Sequence, residues 1–206
     1  MDKLEIQQKD GKIFAPLTGK WLIETPEELV RQDYICKLVN EYGYLLDQMA
    51  QEIKVTSSSR GTGSARADIV IWASVQDKAD QKSPVIVVEC KAQNITIKEE
   101  DYFQGQNYAY YSGAKFFITT NEKETKYFQV VHGILPKRLG NEIVAIPTAK
   151  ELKNNKKIEE LLNSTKAFER DEFAKLLFAC HNIIRNNDKY SPEMAFDEIS
   201  KILFIK

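Results

Sequence analysis

The chain has 206 residues, 43% hydrophobic and 29% charged, with a net charge of −1. These values suit one soluble globular core and lack the basic excess of a free-standing nucleic-acid binder. No run approaches the roughly 20 apolar residues of a membrane span, and the N-terminal MDKLEIQQKDGK lacks the apolar core of a secretory signal. Cys36, Cys90 and Cys180 are odd in number and far apart. They form neither a disulfide framework nor a zinc spacing, which favours a reducing cytoplasm. His132 and His181 are the only histidines, too few for a histidine-rich metal site.

The first strong signal is ETPEELVRQDYICKLVNEYGY. It predicts a helix with Thr25 as N-cap, Pro26 in the first turn and Glu28 closing a capping box. Val30, Tyr34 and Leu38 form its apolar stripe, and Gly43 stops it. EIKVT then reads as a short strand, SSSRGTGSA as a polar mobile loop, and RADIVIWASV and SPVIVVECKA as two further strands. TIKEEDYFQGQNYAYYSG predicts a second helix, capped by Thr96 with Glu99 three residues on and ended by Gly113. AKFFITTN is a fourth strand. A strand, a helix and a strand imply a right-handed βαβ unit with its two strands parallel. TKYFQVV is expected as an edge strand. Beyond EIVAIPT the reading is helical: one helix from about Ala149, one around Phe168–Arg185 and one from Ser191. The expected division is therefore a domain over 1–147 and a helical segment over 148–206. The ending ILFIK has no closing signal, which suits a piece of a longer polypeptide; a docked terminal helix is the alternative.

The chemistry concentrates at the end of the third strand. Side chains alternate along a strand, so Glu89 and Lys91 share one face while Cys90 points the other way with Ile86 and Val88. Asp68, near the start of the preceding strand, is expected on the face of Val70 and Trp72. Antiparallel pairing would bring Asp68 to Glu89 and Lys91 at one end of the sheet. Two carboxylates and an ammonium suit a Mg²⁺ site: hard oxygen ligands and a positive charge beside an attacking water. Glu-x-Lys alone says little. It occurs at Glu52-Lys54, Glu89-Lys91, Glu124-Lys126 and Glu151-Lys153, and the other three read as solvated charges or simple ion pairs. Only the second ends an apolar strand and follows an aspartate that opens another.

With ARADIVIW and VIVVECKA in this order, the chain resembles the PD-(D/E)xK nuclease superfamily. Ala67 replaces the proline that often precedes the aspartate. PEELVRQDYICKLVNEYGY, RADIVIW, VECKAQ and QGQNYAYYSGAKFFITTN together resemble the N-terminal nuclease domain of type I restriction enzyme R proteins over residues 20–130. The tail CHNIIRNNDKYSPEMAFDEISKILFIK is similar to the helical segment before an adenine-N6 DNA methylase domain. The resemblance implies an α/β, restriction-endonuclease-like αβββαβ core with a mixed sheet, followed by a C-terminal helical segment. It implies a Mg²⁺-dependent endonuclease (Mn²⁺ substituting) acting on double-stranded DNA and leaving 5′-phosphate and 3′-hydroxyl. Methylase, specificity or motor domains would lie in the same chain or complex.

By the same resemblance Asp68 and Glu89 hold the metal, and Lys91 orients or helps deprotonate the attacking water and offsets developing charge. The family's first-helix glutamate has two candidates. Glu27, on the core-facing stripe, is favoured over Glu28, which has a capping job. Both also suit the positive end of a helix. Gln104 and Tyr108 match a Gln-x-x-x-Tyr motif and share a helix face. They contact the site or the DNA backbone, or Tyr108 is one aromatic among many. Arg66 and Arg60 are phosphate contacts or solvated; Gln93 lines the site. Lysines 150, 153, 156 and 157 read as a solvated face before a DNA contact. No Gly-x-x-x-x-Gly-Lys-Ser/Thr loop and no Asn/Asp-Pro-Pro-Tyr/Phe motif occur, so neither the motor nor the methylase is in this stretch. No Ser, Cys and His spacing suggests a nucleophilic triad. Two other readings stay open: a nuclease-like fold that binds or assembles on DNA without cutting, and a stand-alone repair or junction nuclease.

Overall fold

The computed structural model describes residues 3–54, 66–133, 138–164, 177–185 and 190–204. The loop expected at SSSRGTGSA, with Arg60, lies outside them, as do residues 168–176 of the predicted second tail helix. Contacts divide the chain into a unit Met1–Thr165 and a unit Lys166–Lys206.

The first unit opens with a three-stranded meander: β1 (Gln8–Lys9), β2 (Lys12–Ala15) and β3 (Lys20–Ile23). Sequence reasoning missed it, although the signal is present. Asp10 and Gly11 form a two-residue loop with φ of 52° and 69°, and Lys9 pairs with Lys12 across it. An Asp-Gly pair with both φ positive matches the right-handed twist of a hairpin.

Helix α1 (Pro26–Asn40) starts where the sequence predicts. Thr25 accepts a hydrogen bond from the Glu28 backbone N–H at 3.1 Å. The return half of the box is replaced, because Arg31 and Gln32 take the Glu28 carboxylate. Then come β4 (Met49–Lys54), β5 (Arg66–Ile71), the short α2 (Val75–Ala79), β6 (Ile86–Cys90), α3 (Phe103–Ser112), β7 (Phe116–Thr120), β8 (Thr125–Val130) and β9 (Leu139–Ile143). The sheet runs β4-β5-β6-β7-β8-β9 in space. Only β6 and β7 are parallel, as their crossover through α3 requires. β8 is not an edge strand, because β9 pairs with its far side and takes that position.

One sheet face packs on α1: Val30, Tyr34, Ile35 and Leu38 meet Ile69, Ile71, Ile86, Val88, Cys90, Phe116 and Ile118. The other packs on α3: Ala109 joins Val70, Trp72, Val87 and Phe117. Strand β6 is thus covered on both faces, as its apolar run demands. Helix α3 begins later than its cap signal. A 3₁₀ turn spans Glu99–Tyr102, because Ile97 and Tyr102 are pulled into the α3-side core. Gly113 ends the helix as expected, in the left-handed region at φ 80°.

Helix α4 (Asn155–Asn163) starts six residues after Ala149. The Glu151 carboxylate accepts from the Thr148 N–H and hydroxyl, both at 2.8 Å. That local bonding holds a 3₁₀ turn over Glu151–Lys153, and Asn154 caps the helix instead. Leu152 and Ile158 enter the α1-side core, so residues 148–164 pack with the sheet. In the second unit residues 177–185 are helical. Its closing helix Pro192–Phe204 follows the predicted Ser191, whose hydroxyl accepts from Met194 N–H at 3.3 Å.

Candidate functional site

The antiparallel ladder between β5 and β6 pairs Ile71 with Ile86, Val70 with Val87 and Ile69 with Val88, and stops there. The next positions are Asp68 and Glu89. Asp68 substitutes its side chain for the missing ladder bond: its Oδ2 accepts from the Cys90 N–H at 2.7 Å. On its other side β4 is kinked opposite Asp68, with Glu52 at φ 52°, and the pair Glu52–Asp68 drops out of an otherwise regular register. The regular pleat therefore fails at Asp68. The expectation that it shares a face with Val70 and Trp72 is not met. It turns to α1, while those two pack on the α3 side.

Arg31 of α1 receives it. One guanidinium nitrogen donates to Asp68 Oδ1 at 2.7 Å and lies 3.5 Å from Glu27 Oε1. Another contacts Glu28 Oε2 closely and Glu52 Oε1 at 3.4 Å. Arg31 is 5% exposed. Burial alone would make it easier to deprotonate, but Asp68, Glu28 and Glu52 outweigh that and raise its pKa. The cation is therefore permanent and holds four carboxylates in place. Gln32 extends the network, donating to Glu28 Oε1 at 2.6 Å and Gln51 Oε1 at 3.3 Å. Sequence reasoning named neither Arg31 nor Glu52 as a site residue. A charge on the stripe of Val30 and Tyr34 was the available signal for Arg31.

Glu89 approaches from the α3 side. It is 5% exposed, and its Oε1 accepts from Lys91 Nζ at 3.0 Å. Its Oε2 is buried with no hydrogen-bond partner among the described residues. Burial, and then the charge of Asp68, push the Glu89 carboxyl up to about 7 despite Lys91. Lys91 is itself partly buried, which disfavours its charge, but Glu89, Glu27 and Asp68 raise its pKa above the ordinary lysine value. Glu27 is half-exposed, and burial followed by Asp68 raises its pKa too. Cys90 lies on the opposite face with Ile86 and Val88. Complete burial pushes its thiol far up, so it is inert packing.

Asp68, Glu89, Lys91 and Glu27 are thus brought into one electrostatic cluster. Glu28 belongs to it through Arg31, not as a capping-box partner. The other expected residues stand differently. Arg66 pairs with Glu52 at 2.9 Å on the surface. Gln93 is exposed and donates to Glu122 at 3.1 Å. Gln104 is exposed, and Tyr108 packs partly into the α3-side core. Of the other Glu-x-Lys strings, Glu124 and Lys126 form a simple ion pair at 3.1 Å, whereas Glu52 is drawn into the Arg31 network. Lys157 pairs with Glu160 at 3.5 Å on the exposed side of α4.

Among the described residues, no group of three or more His, Cys, Asp or Glu side chains gathers as a metal-binding cage. Magnesium does not need one, since it usually takes one or two carboxylates and keeps its waters. Glu89 Oε2 is a buried hard oxygen with no hydrogen-bond partner among the described residues, and it suits such an ion. Asp68 Oδ1 and Oδ2 already accept from Arg31 and from the Cys90 N–H, and each keeps a further lone pair for a cation.

A two-layer-covered mixed sheet with acidic and basic side chains meeting where one ladder ends defines an α/β domain with a buried ionic site. A family model described as the type I restriction enzyme R protein N terminus matches residues 26–147. The chain belongs to that family. A comparison with curated proteins found no match. Among the described residues no helix is long and apolar enough to cross a membrane.

Proposed function

We propose that this chain is the DNA-cleaving module of a restriction–modification enzyme, a Mg²⁺-dependent endonuclease that hydrolyses a phosphodiester to 5′-phosphate and 3′-hydroxyl. The observation that carries the reading is that the β5–β6 ladder ends on Asp68, bonded to the Cys90 N–H, beside the Glu89–Lys91 ion pair. Family membership supports the substrate class. Asp68 and Glu89 would hold the cation. When bound, Mg²⁺ supplies Lewis acidity toward the phosphodiester and neutralises transition-state charge.

The protein groups have separable tasks. Arg31 keeps Asp68 oriented and balances the buried negative charge. Glu89, Glu27 and Asp68 favour the charged form of Lys91. It would act as a hydrogen-bond donor and electrostatic partner, orienting the attacking water or helping to deprotonate it. Held on Glu89 at 3.0 Å, its ammonium is placed to orient water and offset charge on the phosphate oxygens. Glu27, half-exposed at the start of α1, is the acidic group with room to accept a hydrogen bond from water or substrate. Recognition of a DNA sequence belongs to other domains of the same chain or complex.

The test is nicking of supercoiled plasmid by the 206-residue chain with Mg²⁺ or Mn²⁺. Lys91→Ala should abolish cleavage while leaving the circular dichroism spectrum intact. Unchanged cleavage by that variant would sink the mechanism. DNA binding with no cleavage by the unmodified chain would instead favour a module that binds without cutting.

A further inference from the structure

Gly105 sits inside α3, where glycine weakens a helix relative to alanine. No positive φ calls for it there. Space does. A Cβ at this position would lie 2.7 Å from Glu89 Oε2 and 3.1 Å from Glu89 Cβ. It would also come within 3.0 Å of a Phe117 ring carbon. The oxygen it would strike is the one with no hydrogen-bond partner among the described residues. The other Glu89 oxygen is taken by Lys91.

We infer that Gly105 is a positioning residue, whose missing side chain lets the free oxygen of Glu89 stand against α3 in the orientation a cation ligand needs. This rests on the proposed reading of the site as a divalent-cation site. On α3, Gly105 lies between Gln104 and Tyr108 and abuts the carboxylate. A helix backbone against Glu89 excludes bulk water on that side.

The experiment uses the full chain in four forms: unmodified, Gly105→Ala, Glu89→Ala and the double variant. Calorimetric titration with Mn²⁺ reads the site, and thermal unfolding without divalent cation reads the fit. Gly105→Ala should weaken Mn²⁺ binding by about tenfold or more, the usual effect of disturbing a ligand's support. It should also lower Tm, and lower it less in the Glu89→Ala background, where no carboxylate is there to strike. Unaltered Mn²⁺ affinity in Gly105→Ala overturns the inference. So do equal Tm losses in the two backgrounds, which would assign the glycine to Phe117 packing. If Gly105→Ala does not fold, a folded double variant supports the inference and an unfolded one overturns it. If the unmodified chain binds no Mn²⁺, the reading of the site fails. The Tm comparison then still decides whether Gly105 makes room for Glu89.

Discussion

Replacing Glu89 with glutamine removes a buried charge and should stabilise the protein increasingly as pH rises. Burial and Asp68 raise the Glu89 carboxyl from 4.5 to about 7. The native state therefore keeps a proton that the unfolded chain has already released between those values. Where the native state binds more protons, stability falls with rising pH. Below about pH 4.5 the group is neutral in both states and costs nothing. Through the folded pKa and above, the full penalty is present. At 1.36 kcal/mol per unit, that penalty is about 3 kcal/mol. Lys91 does not contribute to the slope, because it titrates far above this window. Urea unfolding without divalent cations, at steps from pH 4.5 to 8.5, should show the gap between Glu89→Gln and the unmodified chain widening by about that amount. Parallel pH profiles for the two proteins would refute the reasoning, since they would mean that Glu89 is as well solvated in the fold as outside it.

Two other perturbations test the supports of the site. Arg31→Met leaves Asp68 and Glu28 without their common cation and should cost about 3–5 kcal/mol at pH 7. A loss below 1 kcal/mol in chemical denaturation would mean that the four-carboxylate arrangement is not held by this residue. Thr25→Ala removes the hydroxyl that caps α1 at the Glu28 N–H and should cost about 1 kcal/mol by the same measurement. An unchanged midpoint would show that tertiary packing alone fixes the start of the helix.

The elements were largely legible because their signals are local. Thr25 and Pro26 announce α1, Gly113 ends α3, and the run from Val85 to Val88 can only be an interior strand. The misses also have local or packing causes. The meander over Gln8–Ile23 had an Asp-Gly turn to reveal it. The late start of α3 did not, because burial of Ile97 and Tyr102 overrode the cap at Thr96. β8 became interior because β9, a weakly apolar LGNEI, paired with it.

The sequence by itself determined that Asp68, Glu89 and Lys91 would lie near one end of two adjacent strands, since antiparallel pairing sets the start of one beside the end of the other. It determined too that Cys90 would be filler, since alternate residues face opposite sides. Tertiary structure decided the rest. The pleat breaks at Asp68 and Glu52, which sends Asp68 to Arg31 on α1 and not to the face of Val70 and Trp72. α3 crosses Glu89 at Gly105 and leaves one carboxylate oxygen buried without a hydrogen-bond partner among the described residues. Such contacts depend on where helices land on a twisted sheet. No residue spacing encodes that, because the partners are 37 positions apart for Arg31 and Asp68 and meet only when both layers close on β6.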